Sequence, residues 1–516
     1  MKSPDKFYIT TAISYPNGKP HMGHAYEVVA ADAIARFHRL DGRDVWFLTG
    51  TDEHGLKIAQ AARAAGVLPR TYVDTMVAAF EMMAERFDIS HDRFIRTTDA
   101  DHIEACQTLW RALVAAGDIY LDRYEGWYSV RDEAYYEAAE LVEAEDSSGA
   151  TIKLSPQGTP VEWTIEESWF FKLSAYQDRL LQHYDDHPEF VQPTSRFNEM
   201  RSFVAGGLRD LSISRTSFDW GVPVPDSPGH VMYVWIDALT NYLTGAGYPA
   251  SDYVDTWPAD LHVIGKDVVR FHSVYWPAFL MSAGIDLPLT VFGHGFILDR
   301  GEKMSKSLGN VVEPMALADT FGVDQLRWFM LRDIAFGEDG NYSHAAIVDR
   351  TNADLANGIG NLAQRALSMI AKNCGGVLPE IVGSGEAEID LFDALTTLTL
   401  SYRSEMAGLR LNRGLEALMT MVSLANGYFA DAAPWGLKAS DPARMGMILH
   451  TTVEAVRRIA LLAQPVMPGS CGRLLDQLAV PAAARNFAGL AVPLVAGAIL
   501  PPPVGVFPRW VDPEAK

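Results

Sequence analysis

The chain has 516 residues, 48% hydrophobic and 21% charged, a length and balance that call for more than one folded core and exclude a disordered chain. Its 65 acidic and 43 basic residues give a net charge of −22, which excludes an indiscriminate polyanion binder but not a local basic stripe that reads one RNA. Apolar runs such as "VWFL" and "IALLA" fall short of the roughly 20 residues of a bilayer span, and "MKSPDKFYITTAISYPNG" lacks a signal peptide's apolar stretch, so a cytoplasmic enzyme is expected.

In chain order, "KFYITTAI" (residues 6–13) reads as a buried strand. "PNGKPHMGHAYEVVAADAIARF" (16–37) reads as a Pro/Gly-broken loop opening a helix to about Leu40, with Ala25, Val28, Val29, Ala31, Ile34, Ala35 and Phe37 on one face. A strand "DVWFLTG", a polar turn "TDEHG" and helices to about residue 117 follow, an alternation that predicts an α/β, doubly wound domain. Residues 121–230 break this pattern with an aromatic and acidic stretch and read as an inserted α+β module. Alternation resumes with "DLHVIGKDVVRFHSVYWPAFL" and "LPLTVFGHGFIL". From about residue 345 strands vanish and four or five amphipathic helices are expected to about Leu475, with Leu355, Ile359, Leu362 and Leu367 at helical spacing. "ILPPPVGVFPRW" predicts an extended tail. Cys106, Cys374 and Cys471 form no CxxC pair and are expected to be small buried hydrophobes.

Two motifs carry chemistry. In "HMGH", His21 and His24 stand where loop becomes helix. They read as a capping pair, as two ligands of a zinc site needing a third, or as imidazole donors beside helix-end N–H groups that stabilise a nucleotide's phosphates, with Gly23 leaving room for the base. In "GEKMSKSLGN" (301–310), Lys303 and Lys306 lie on a Gly-bounded loop after a strand. That loop is either a solvated turn or a mobile clamp on a triphosphate.

"HMGH" followed by "KMSKS" across a split α/β domain resembles the class I aminoacyl-tRNA synthetases. "TTAISYPNGKPHMGHAYE", "FLTGTDEHG", "YVWIDALTNY", "VIGKDVVRFHSVYWPA", "HGFILDRGEKMSKSLGN", "NADLANGIGNLAQR" and "APW" are similar to the methionyl-tRNA synthetase family over nearly the whole chain. The resemblance implies a split Rossmann-like catalytic domain (1–120 and 231–300) and an inserted module (121–230). A lysine-loop and linking region (301–345) and a helical-bundle anticodon-binding domain with a Pro-rich tail (346–516) complete it. It implies ATP contacts from His21, Gly23, His24, Gly265, Asp267, His294, Lys303 and Lys306, with His21, His24, Lys303 and Lys306 catalytic. Ile13, Tyr15, Trp235, Ala238, Leu239, Tyr242 and His272 would line a methionine pocket, where sulfur–aromatic contacts suit the thioether, and Asp52 would hold the ammonium. Taken alone, Asp52 also reads as a helix N-cap, Trp235 as core and "GKD" as an ordinary strand–helix turn.

Asn357, Asn361 and Arg365, at i, i+4 and i+8, read as a solvated stripe or, by resemblance with Pro434 and Trp435, as the CAU anticodon site. The family relation implies magnesium accompanying ATP, and tRNA(Met), including the initiator, as partner; DNA and membranes are not expected partners, and a monomer is expected. Many members carry a four-cysteine zinc knuckle in the insert. Residues 121–182 here hold neither Cys nor His, so no zinc is expected and the insert's aromatics must hold it. Synthetases for leucine, isoleucine or valine carry a larger editing insertion than residues 121–230 provide. A non-catalytic tRNA-binding relative would have no use for intact nucleotide motifs, and a small-molecule nucleotidyltransferase none for the appended helices.

Overall fold

The computed structural model describes residues 2–129, 134–145, 151–299, 301–303, 312–381 and 385–512. The chain divides into two compact units: Met1–Pro20, Trp46–Met82 and His91–Gly293 form the first, and His21–Val45, Met83–Ser90 and His294–Lys516 the second.

The first unit is built on a six-stranded sheet. Its strands are β1 (Lys6–Thr11), β2 (Asp44–Thr51), β3 (Arg93–Arg96), β4 (Val191–Gln192), β5 (Leu261–Gly265) and β6 (Val291–His294), in the order β3-β2-β1-β5-β6-β4. Parallel pairing places Ile9 opposite Leu261, Leu48 opposite Arg93 and Val291 opposite Val191. β5 is buried at every residue, the signature of a strand covered on both faces. Gly50 admits the close approach of β2 to β3, since a Cβ there would lie 2.0 Å from the Ile95 carbonyl oxygen. The strand order runs outward from β1 in both directions, so the β1–β5 junction is a topological switch point, where the carboxyl ends of an open parallel sheet leave a crevice. The helices α2 (Ala100–Ala116) and α3 (Val234–Ala246) join the core of this unit through Leu109, Trp110, Ile236 and Leu243.

The inserted module is built on a four-stranded sheet whose central strands, Ile119–Ser129 and Glu162–Phe171, run antiparallel, in register from Ile119 opposite Phe171 to Tyr128 opposite Glu162. Aromatic pairs clamp it, as its composition led us to expect. Trp127 meets Trp163 edge-on at 5.4 Å, Tyr120 stacks on Phe170 at 5.7 Å, and the Lys153 ammonium lies 4.6 Å over Trp127.

In the second unit, α1 (Met22–Leu40) is buried along most of its length. It is locked to α4 (Val323–Asp333) by Asp32 and Arg327, both without solvent exposure. The Arg327 guanidinium also donates to the carbonyls of Phe87, Pro465 and Val466. Five helices form the expected bundle: Asn361–Asn373, Glu386–Ala407, Leu411–Ala432, Pro442–Ala463 and Pro468–Gln477. The Pro-rich tail is irregular but docked: Val506 and Phe507 are buried, and Trp510 packs near Phe321 and His344. Among the described residues no helix is long and apolar enough to cross a membrane.

Candidate functional site

The nucleotide-side candidates of the second unit gather at the start of α1. His21 is its N-cap and accepts the Gly23 N–H at Nδ1 (3.0 Å), while His24 accepts the His21 N–H at its own Nδ1 (3.1 Å). The rings stack at 3.9 Å. A neutral imidazole that accepts at Nδ1 carries its proton at Nε2, so the cap sets both tautomers and makes the far nitrogen of each ring a donor. The geometry shows the capping reading and is compatible with the phosphate-binding one. Gly23 has a local reason as well: a Cβ there would sit 2.9 Å from His21 Cε1. No acidic residue occupies the first turn, so the helix end keeps its positive potential.

Met22 N–H reaches the Val312 carbonyl at 3.3 Å, tying the chain that leaves the lysine loop to the same cap. His294 is buried and holds Glu27 of α1 at 2.9 Å through Nε2 and the Gly295 carbonyl at 2.8 Å through Nδ1. Lys303 sits in a short strand, Glu302–Lys303, paired antiparallel with Leu298 and Asp299. Lys306 lies outside the described residues.

The methionine-side candidates belong to the first unit. Ile13 and Tyr15 follow β1, Asp52 follows β2, and Gly265 and Asp267 end β5 and open the next turn, so all five collect at the switch point. A Cβ on Gly265 would lie 2.8 Å from Asp267 Oδ1, so the carboxylate folds back over the strand end. Asp52 is not a helix cap: that place is taken by Gly55, and Asp52 is itself buried. Its loop is fixed from several sides. The Asp52 N–H donates to Ser14 O (2.9 Å), the Tyr15 hydroxyl to His54 O (3.0 Å), and the Trp220 indole N–H to Glu53 O (2.6 Å). The buried Glu53 carboxylate takes two bonds from Arg96 and one each from Thr51 and Thr98.

α3 supplies Trp235, Ala238, Leu239 and Tyr242; Trp235 stacks on Phe271 at 3.7 Å and meets His272 edge-on at 6.2 Å. The Tyr242 hydroxyl donates to His272 Nε2 at 2.6 Å while His272 Nδ1–H donates to Val268 O at 2.9 Å. Burial pushes the His272 pKa down to about 4, so this imidazole is neutral and held in one tautomer at physiological pH. The result is an apolar and aromatic recess with uncharged polar atoms, beside a loop bearing two carboxylates, of which that of Glu53 is paired with Arg96.

Sequence reading missed a cluster behind this recess. Asp237 of α3 takes His54 Nδ1 at 2.7 Å on one oxygen and His102 Nε2 at 2.8 Å on the other, all three residues being buried. Its partners lie 183 and 135 positions away, and no local pattern announces them. Burial alone would raise the Asp237 pKa, but the two imidazoles outweigh it and hold the carboxyl at about 2. Cys106, His102 and Asp237 form a group whose ligand-type atoms lie within 4.8 Å of one another. Hydrogen-bonding distances between the imidazoles and Asp237 describe a relay whose donors and acceptors satisfy each other, not a metal cage.

On the bundle, Asn357, Asn361 and Arg365 are exposed. Arg365 and Trp435 come together, the guanidinium 5.1 Å from the indole and 4.9 Å from Phe429. Trp435 is 50% exposed, which excludes a core role, while Pro434 is buried and begins a short turn.

A family model described as "tRNA synthetases class I (M)" matches residues 7–367, and one described as "Anticodon binding domain of methionyl tRNA ligase" matches 378–513. A methionine–tRNA ligase of Mesorhizobium japonicum is 57% identical over 514 residues, 99% of each chain, and one of Brucella suis is 55% identical over 100% of each. Among solved structures, the Mycobacterium tuberculosis methionyl-tRNA synthetase in complex with methionyl-adenylate is 56% identical. It covers 99% of this chain and 100% of its own, with a TM-score of 0.95.

Proposed function

The chain belongs to the class I tRNA synthetases of the methionyl type, and from that premise we propose which residues carry out ATP-dependent ligation of methionine to tRNA. In the first step the methionine carboxylate attacks the α-phosphate of ATP in line, forming methionyl adenylate and releasing pyrophosphate. The Nε2–H donors of His21 and His24, the N-terminus of α1, and Lys303 and Lys306 stabilise the charge on the phosphates, with Gly23, Gly265, Asp267 and His294 completing the ATP site. Asp52 holds the ammonium; Ile13, Tyr15, Trp235, Ala238, Leu239, Tyr242 and His272 enclose the side chain. In the second step the terminal ribose hydroxyl of the tRNA attacks the adenylate carbonyl and AMP leaves. Positioning and preorganised charge supply the catalysis; no covalent enzyme intermediate is needed.

The observation that carries this reading is the uncharged Tyr242–His272 pair beside the Asp52 loop: a site for one ammonium and an uncharged, polarisable side chain. Asn357, Asn361, Arg365, Pro434 and Trp435 read the anticodon of tRNA(Met), initiator included. Magnesium enters with the triphosphate as part of the substrate. A zinc knuckle has no Cys or His to form it in residues 121–182. A cytoplasmic monomer divided into the five segments expected from the sequence completes the proposal. ATP–pyrophosphate exchange measured against all twenty amino acids tests it: methionine drives exchange best, and better exchange with any other amino acid overturns the substrate assignment.

A further inference from the structure

Behind the methionine recess lies a buried ion that the reaction scheme above leaves unused. Asp237 has no solvent exposure and sits on α3 between Trp235 and Ala238 of the recess. Its two oxygens are taken by His54, two residues beyond Asp52, and by His102 of α2. We propose that Asp237, His54 and His102 are positioning residues that fix the Asp52 loop against α3, so that the Asp52 carboxylate is aimed at the α-amino group of the amino acid. This deepens the reading of Asp52 as the ammonium-binding residue and rests on it.

Three observations support the assignment. The relay joins three separate elements, the loop after β2 that carries Asp52, α2, and α3 that carries Trp235, Ala238, Leu239 and Tyr242. His54 works at both ends: its carbonyl anchors the Tyr15 hydroxyl at 3.0 Å and its ring anchors Asp237 at 2.7 Å, so one residue sets Tyr15, Asp52 and α3 in a common frame. A buried ionic cluster is costly for stability alone, because well-packed apolar residues of similar volume serve as well or better. Its gain here is orientation, where an error of about 1 Å costs on the order of a hundredfold in rate.

Two ligands separate aiming from mere folding. Methioninol keeps the amino group and the thioether; 4-(methylthio)butanoate keeps the thioether and lacks the amino group. Dissociation constants of both are measured on the full chain by calorimetry. In His54→Ala, methioninol weakens by about tenfold or more while the butanoate stays within about twofold. His54→Asn, whose side-chain N–H can stand where Nδ1–H stood, returns methioninol to within about threefold of the parent. Should His54→Ala not fold, Asp237→Asn, which keeps the shape and removes the charge, gives the same selective loss. Equal weakening of both ligands, unchanged methioninol binding, or an Asn variant as weak as the Ala variant overturns the proposal. Asp52→Asn is the control for the underlying reading. If it leaves the preference for the amino-bearing ligand intact, the role of Asp52 fails; if it abolishes the preference and His54→Ala does not, the positioning role alone fails.

Discussion

At the scale of single residues, His21 and His24 cap the start of α1 through Nδ1, and the donor role proposed for them uses the opposite ring nitrogen, so the two uses can be separated. Asn is among the best N-cap residues, and its carbonyl oxygen can accept the Gly23 N–H that His21 Nδ1 now accepts at 3.0 Å. It has no atom at the place of Nε2. His21→Asn therefore keeps the helix start and removes a phosphate-side donor. We expect a melting temperature within a few degrees of the parent and single-turnover adenylate formation slowed by about a hundred- to a thousandfold, the loss seen when one preorganised donor to a developing charge is removed. A variant that adenylates at the parent rate would reduce His21 to a cap. The residue types and the helix start of this motif were legible in the sequence, because an HxxH pair after a Pro/Gly loop is a local signal. The tautomers were not, since they depend on which backbone N–H each ring accepts.

At the scale of elements, α1 and α4 are joined by a charge pair far from any solvent. Asp32 accepts from Arg327 at 2.5 Å, from Arg36 at 2.8 Å and from the Ser90 N–H at 2.7 Å. Burial on its own would raise the Asp32 pKa, but Arg327, Arg36 and Ser90 together bring it below the ordinary carboxylate value. A carboxyl whose folded-state pKa is depressed adds stability above its unfolded pKa and loses it as pH falls through the folded value. Arg327→Leu leaves Asp32 short of its main partner and the carbonyls of Phe87, Pro465 and Val466 short of a donor. The expected cost is about 3–5 kcal/mol at pH 7, read as a shift in the denaturation midpoint. The gap between parent and variant narrows below about pH 4, where the unfolded carboxyl takes up a proton that the paired Asp32 resists, and closes further as pH falls through the folded value. A gap that is constant from pH 7 to pH 3 would place the stabilisation in the carbonyl contacts instead.

Element identity was legible where the periodicity is long, as in α1 and the bundle. It failed at β3, whose "RFIR" falls in the stretch expected as helices to about residue 117: four residues with charges at both ends carry no strand pattern of their own, and pairing with β2 makes them one. It failed also at Arg350–Gly360, which winds as a π-helix, a geometry that no 3.6-residue pattern can announce. The Pro-rich tail was legible as extended, but its docking through Val506 and Phe507 depends on the surface those residues meet.

At the scale of the whole molecule, the proposed methionine recess is built from first-unit residues, and Arg365 and Trp435 belong to the second. The residues proposed to read the tRNA and those proposed to bind the amino acid are then separable by mutation. Trp435 is half exposed, meets Phe429 edge-on at 5.8 Å and carries the Arg365 guanidinium over its face. In the proposed anticodon role, an indole so placed stacks a base and the cation beside it adds attraction for the RNA backbone. Trp435→Ala removes the platform at a cost of roughly 1–3 kcal/mol of tRNA binding, which corresponds to about a ten- to hundredfold fall in aminoacylation efficiency. Methionine-dependent pyrophosphate exchange without tRNA stays at the parent level, because none of the groups that carry the first step is touched. The melting temperature moves little, since a half-exposed ring contributes less than a core one. Both assays and the melting curve are taken on one preparation. Joint loss of exchange and charging with a lowered melting temperature would make Trp435 a structural residue of the bundle, and normal charging of tRNA(Met) would remove it from the anticodon site.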